Sequence, residues 1–118
     1  MMGGMSPITT HVLDTARGVP AMGVPVRLEA RNAPDRWDLI GHGTTDTDGR
    51  VADLLPEKFP VEKGVYRMIF DTAAYFKTVG VKDSFYPSVT VVFEVRDQRH
   101  HHVPLLLSPF GYSTYRGS

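Results

Sequence analysis

Residues 88–96, SVTVVFEVR, decide the fold class. Val89, Val91, Phe93 and Val95 fall on one side of an extended chain, and Thr90, Val92, Glu94 and Arg96 fall on the other. That period of two, in β-branched and aromatic residues, is the pattern of a half-buried strand. Working outward, residues 25–31, PVRLEAR, repeat it: Val26, Leu28 and Ala30 oppose Arg27, Glu29 and Arg31. ITTHVLD (8–14), DLIGHGTT (38–45), VADLL (51–55), VYRMIFDT (65–72), HVPLLLSP (102–109) and YSTYR (112–116) bring the expected strands to eight.

The segments between them, ARGVPAMGVP (16–25), RNAPDRWD (31–38), DTDGR (46–50) and EKFPVEKG (57–64), are rich in Gly, Pro, Asn and Asp. These residues supply positive φ or fix it near −65°, and so mark turns. Many short strands separated by such turns predict an all-β, eight-stranded antiparallel sandwich. Only TAAYFKTVG (72–80) tolerates a helix, one short element closed by Gly80.

A chain of 118 residues has room for one core. It reads as a flexible extension over residues 1–7 followed by one domain over 8–118. Basic and acidic residues balance at 13 each, so no cationic field exists to hold nucleic acid or an anionic membrane. Without cysteine there is neither a disulfide framework nor thiol chemistry. MMGGMSPITTHV lacks the charged and apolar regions of a signal peptide, and no run of about 18 apolar residues occurs, so a cytoplasmic location is the expectation.

Three adjacent histidines, His100, His101 and His102, lead without a linker into Val103 and are read as native sequence. Strand alternation puts Val103, Leu105 and Leu107 on the core side and His102, Pro104, Leu106 and Ser108 on the outer side. By the same count His11 shares a face with Thr9 and Leu13, opposite Ile8, Thr10 and Val12. If the two strands are neighbours, His11 and His102 converge on one semi-apolar outer surface, the kind that marks an interface or a ligand site. A strand histidine is more often structural than catalytic, and His42 and His100 are read as surface or structural residues. Successive strand residues face opposite ways and no cysteine is present, so the triplet is not expected to be a metal site, and no cofactor is implied.

Four segments carry a family likeness: THVLDTARGVPA (10–21), TDTDGR (45–50), FYPSVTVVFEV (85–95) and HVPLLLSPFGYSTYRGS (102–118). Together they resemble the 5-hydroxyisourate hydrolases, the transthyretin-related proteins of purine catabolism. The resemblance implies a transthyretin-like sandwich with a short helix, a homotetramer with active sites at subunit interfaces in a central channel, and 5-hydroxyisourate as the small-molecule substrate. It assigns catalysis to His11, Arg50 and His102. It gives the YRGS segment, Tyr115, Arg116, Gly117 and Ser118, to closing the pocket, with Tyr115 as its wall, and Ser108, on the face of His102, joins the expected substrate contacts. His101 stands where such hydrolases commonly have tyrosine, and alternation turns it away from the site. The hormone-carrying transthyretins have lysine, glutamate and threonine in place of His11, Arg50 and His102, so a carrier of small aromatic ligands is the alternative and a purely structural sandwich the third reading.

The chemistry suits the residues. Opening a cyclic acyl–nitrogen bond needs a deprotonated water, a stabilised oxyanion and a proton for the leaving nitrogen. Imidazole, with an ordinary pKa near 6.5, can take and return that proton near neutrality. A guanidinium remains cationic and offers a planar donor fork to an oxygen-rich ring. One of His11 and His102 is expected to activate water and the other to bind substrate and shuttle its proton, with the order left open.

Overall fold

The computed structural model describes residues 5–118. Its elements are β1 (Ile8–Asp14), β2 (Val19–Pro20), β3 (Pro25–Ala33), β4 (Arg36–Thr44), β5 (Arg50–Val51), β6 (Gly64–Phe70), helix α1 (Thr72–Thr78), β7 (Val89–Val95), β8 (His101–Ser108) and β9 (Gly111–Thr114). One sheet runs β2-β1-β8-β9, with β5 also paired to β1, and the other runs β4-β3-β6-β7. The all-β two-sheet sandwich with one short helix is therefore the observed architecture, with nine strands among the described residues.

The alternating residues fill the space between the sheets. Val26, Leu28, Met68, Phe70, Val89 and Val95 from one sheet meet Ile8, Val12, Val103, Leu105 and Leu107 from the other, all essentially removed from solvent. Complete burial of one such aliphatic side chain contributes about 2 kcal/mol. Asp71 caps α1 by accepting from the Ala74 N–H (3.0 Å), and Gly80, at φ +78°, turns the chain out of it.

Three expectations need correction. The strand pair β1–β8 is parallel, with Ile8 opposite His101 and Asp14 opposite Leu107; every other named pair is antiparallel. These two strands come from opposite ends of the domain, so no hairpin turn dictates their relative direction. Residues 51–55 do not form a strand: pairing stops at Val51, and Leu54 and Leu55 plunge into the core. The Leu54 carbonyl lies against Gly41, where a Cβ would sit only 2.1 Å from its oxygen. Conversely, the 16–25 turn region contains the short strand β2, brought back to β1 by Gly18, whose N–H bonds the Asp14 carbonyl at 2.8 Å and whose φ is +69°.

Part of the expected extension packs against the domain. Ser6 is buried; its hydroxyl donates to the Ile8 carbonyl at 2.6 Å and accepts from the Leu55 N–H at 3.1 Å. The remainder of the expected extension, residues 1–4, lies outside the described residues. Among the described residues no helix is long and apolar enough to cross a membrane.

Candidate active site

Arg50 owes its place to the preceding turn. The Asp46 carboxylate accepts from the Asp48 and Arg50 N–H groups at 2.9 and 3.0 Å, and the Asp46 N–H bonds the Arg50 carbonyl at 2.9 Å. Gly49, at φ +76°, passes so close to β1 that a Cβ there would lie 2.4 Å from the Val12 carbonyl oxygen. Only glycine permits that approach, and it seats Arg50 opposite His11 in the β1–β5 pair.

On the other edge of β1 the parallel register sets Thr9 opposite His102 and His11 opposite Pro104. Thr9 and His11 share the outer face two residues apart, a separation of about 7 Å along a strand. His11, Arg50 and His102, far apart in sequence, thus come to one side of one sheet. A cavity of about 430 Å³ opens there, lined among others by Thr9, Arg50, His100, His102 and Ser118. His11 is not among the residues lining it, but it lies opposite Arg50 on the same sheet face, near enough to bear on His102.

The Thr9 hydroxyl joins two imidazoles. Its Oγ1 lies 2.7 Å from His102 Nδ1 and 2.8 Å from His100 Nε2, and the two rings stack at 6.4 Å between centroids. Burial first, then the charges of His100, His11 and Arg50, hold the His102 imidazole below its ordinary value of 6.5. His102 is therefore neutral at neutral pH, the state in which a histidine accepts a proton.

The tail also grips His102. The Gly117 N–H bonds the His102 carbonyl at 2.9 Å, and a Cβ on Gly117 would come within 2.4 Å of the His102 ring carbon Cδ2. The chain continues from there to put Ser118 on the cavity wall. Of the YRGS residues, then, Gly117 and Ser118 meet the histidine cluster. Tyr115 and Arg116 line a separate cavity of about 210 Å³ between β7 and β8, which shares only His102 with the first. In the protomer Tyr115 is not the wall of the His100–His102 cavity: the chain leaves β9 at Thr114, passes Tyr115 and Arg116 along the second cavity, and only at Gly117 bridges back to His102. Ser108 is six residues from His102, about 20 Å along a strand, and its hydroxyl donates to the Gly111 carbonyl at the β8–β9 turn. The protomer does not bring it to the cluster.

Two residues at the cavity were missed from sequence. Sequence reasoning leaves His100 as a surface or structural residue and sets Thr9 on the outer face with no task. Their signal was parity: His100 matches His102 and Thr9 matches His11. His101, of opposite parity, is buried and sits away from the cavity, with its pKa pushed down by burial and then by Arg116.

The class of protein is now defined by fold and site together. Residues 8–117 match the HIUase/Transthyretin family, and the chain belongs to it. It is 48% identical over 115 residues to the 5-hydroxyisourate hydrolase of Mus musculus, covering 96% of each chain. Among solved structures, the Klebsiella pneumoniae 5-hydroxyisourate hydrolase aligns with TM-score 0.81 at 33% identity, covering 94% of this chain and 98% of that one. Sea bream transthyretin in complex with thyroxine aligns with TM-score 0.84 at 37% identity, covering 94% of each. Backbone likeness alone does not separate the hydrolases from the carriers; the side chains around the cavity have to.

Proposed function

We propose that this protein hydrolyses 5-hydroxyisourate, opening its ring to 2-oxo-4-hydroxy-4-carboxy-5-ureidoimidazoline in urate degradation. The observation that carries the reading is the gathering of His11, Arg50 and His102 on one sheet face, with Arg50 and His102 lining one cavity and His102 held neutral by its surroundings. The name and the closeness of the mouse relative point the same way.

In this mechanism the unpartnered nitrogen of His102 takes a proton from water as the oxygen adds to the ring carbonyl. Arg50 stabilises the developing oxyanion with its donor fork. Collapse of the tetrahedral intermediate breaks the acyl–nitrogen bond, and the proton held on His102 passes to the leaving nitrogen. His11, across from Arg50, binds the substrate and steers that proton. Ser118 supplies a polar wall, and Gly117 keeps the His102 ring seated. Tyr115, Arg116 and Ser108 join the site only if a second protomer brings them to it. That arrangement belongs with the homotetramer the resemblance implies. Phe85, Phe110, Tyr112 and Tyr115, exposed on the described surface, support such an assembly by offering apolar area to cover. A cytoplasmic place of action completes the proposal and is tested by fractionating the source cells.

The deciding measurement is the ultraviolet decay of freshly made 5-hydroxyisourate with and without protein. Acceleration over the spontaneous rate is expected. A rate equal to the protein-free control, with saturable binding of an aromatic ligand, would favour the carrier.

A further inference from the structure

The Thr9 hydroxyl has one proton and sits between two ring nitrogens, His102 Nδ1 at 2.7 Å and His100 Nε2 at 2.8 Å. When the hydroxyl proton is given to one ring, the other ring's N–H must be the donor to Oγ1. If Thr9 donates to His102, that histidine carries its proton on Nε2 and cannot accept one there. If Thr9 donates to His100, His102 donates its own Nδ1–H to Thr9 and keeps a bare Nε2. The Nε2 of His102 has no hydrogen-bond partner among the described residues, yet no buried side-chain nitrogen or oxygen there lacks one, so this atom is open to solvent on a residue that lines both cavities.

We infer that His100, acting through the Thr9 hydroxyl, is a positioning residue that fixes His102 in the Nδ1–H form and leaves its Nε2 lone pair free for the substrate water. The inference rests on the reading of His102 as the base. A base held this way gains its proton on Nε2 while the Nδ1–H···Oγ1 bond stays as it was, so no partner has to reorient during the step. Thr9 is nearly buried, which restricts the hydroxyl to these two neighbours, whereas His100 is exposed and its ring is replaceable without opening the core. The charged groups bearing on His102 are His100, His11 from β1 and Arg50 from β5, all cationic when protonated. Protonation of His100 at Nε2 would turn it from acceptor to donor, free the Thr9 proton to point at His102 Nδ1, and disfavour the productive tautomer.

Two readouts test this. Nitrogen-15 NMR of the histidine rings in the wild-type protein, which needs no substrate, is expected to show His102 protonated on Nδ1 and His100 bare on Nε2 at pH 7.5. Finding His102 protonated on Nε2 overturns the proposal. In kinetics, His100→Phe and Thr9→Val are each expected to lower kcat at least about tenfold with KM little changed, since a wrong tautomer disables a correctly placed histidine. Thr9→Ser, which keeps the hydroxyl, should restore both turnover and tautomer. Wild-type kcat in His100→Phe with an unaltered His102 tautomer would also overturn it. Should His102→Asn keep full turnover while the wild-type tautomers are as stated, the assignment of His102 as base fails and the hydrogen-bonded arrangement stands.

Discussion

The two outer faces of the sandwich handle charge in opposite ways. On the β3–β4–β6 face three arginines have partners among the described residues, Arg31 being the exception: Arg67 bonds Glu29 at 2.6 Å and stacks over the Trp37 ring at 4.2 Å, Arg27 approaches Glu29 at 3.9 Å, and Arg36 lies 3.8 Å from Asp38. On the β1–β5–β8 face, Arg50, His11 and His102 gather with no carboxylate salt bridge among the described residues. Paired surface charges are screened and satisfied, and they contribute little beyond about 1 kcal/mol each. Unpaired ones repel, cost stability and leave a field available to a ligand. The contrast locates function more sharply than the backbone does, because that backbone is shared with a thyroxine-binding transthyretin.

Substitutions on the unpaired face should produce the largest effects. His102→Asn is expected to lower kcat/KM for 5-hydroxyisourate by about 10²- to 10⁴-fold, the usual contribution of a general base. Arg50→Lys keeps the charge but loses the planar fork, and stopped-flow decay should show a fall of roughly 10²-fold. An unchanged rate in either variant would remove the distinction between the faces. Gly117→Ala, whose added Cβ would press on the His102 ring, should cost roughly tenfold to a hundredfold in turnover by shifting that ring.

Acid sensitivity sharpens the comparison at the level of stability. The His101 and His102 pKa values are both depressed in the folded protein, so below the unfolded value of about 6.5 the unfolded chain binds protons that the folded chain resists. Stability is therefore fully present above that value and is lost as pH falls through the folded ones. Urea midpoints at pH 7.5, 6 and 5 should decline, and His101→Tyr should flatten the decline. The smallest effect belongs to the paired face: Arg67→Ala should leave turnover within about twofold and change stability by about 1 kcal/mol, read from the same urea curves.

Much of this was legible in the residues. Alternation at Val89–Val95 and in β8 named the core side correctly, whereas Arg50 was singled out only by the family resemblance, the DTDGR turn alone fitting a solvated arginine as well. Strand parity set His11 and His102 on outer faces, and the register of β1 with β8 joined them. Parity could not give the direction of that pairing, because sequence pattern is blind to which way a distant neighbour runs. Nor could it show that Leu54 and Leu55 would leave the sheet for the core, since an apolar run fits either fate. Thr9 and His100 escaped notice for a related reason: a hydroxyl bridge between residues 91 apart is a property of register and rotamer, not of local spacing.

The parallel pairing of β1 with β8 has a temporal consequence. Thr9 and His102 are 93 positions apart, so the first strand synthesised must wait for one of the last before its hydroxyl finds the imidazole. Contacts of such sequence separation are late and slow to form. A ribosome-bound chain lacking β8 would already hold every strand of the β4-β3-β6-β7 sheet but not the His102 imidazole, so if His102 is the base, ring opening is a clock for the moment the polypeptide closes on itself.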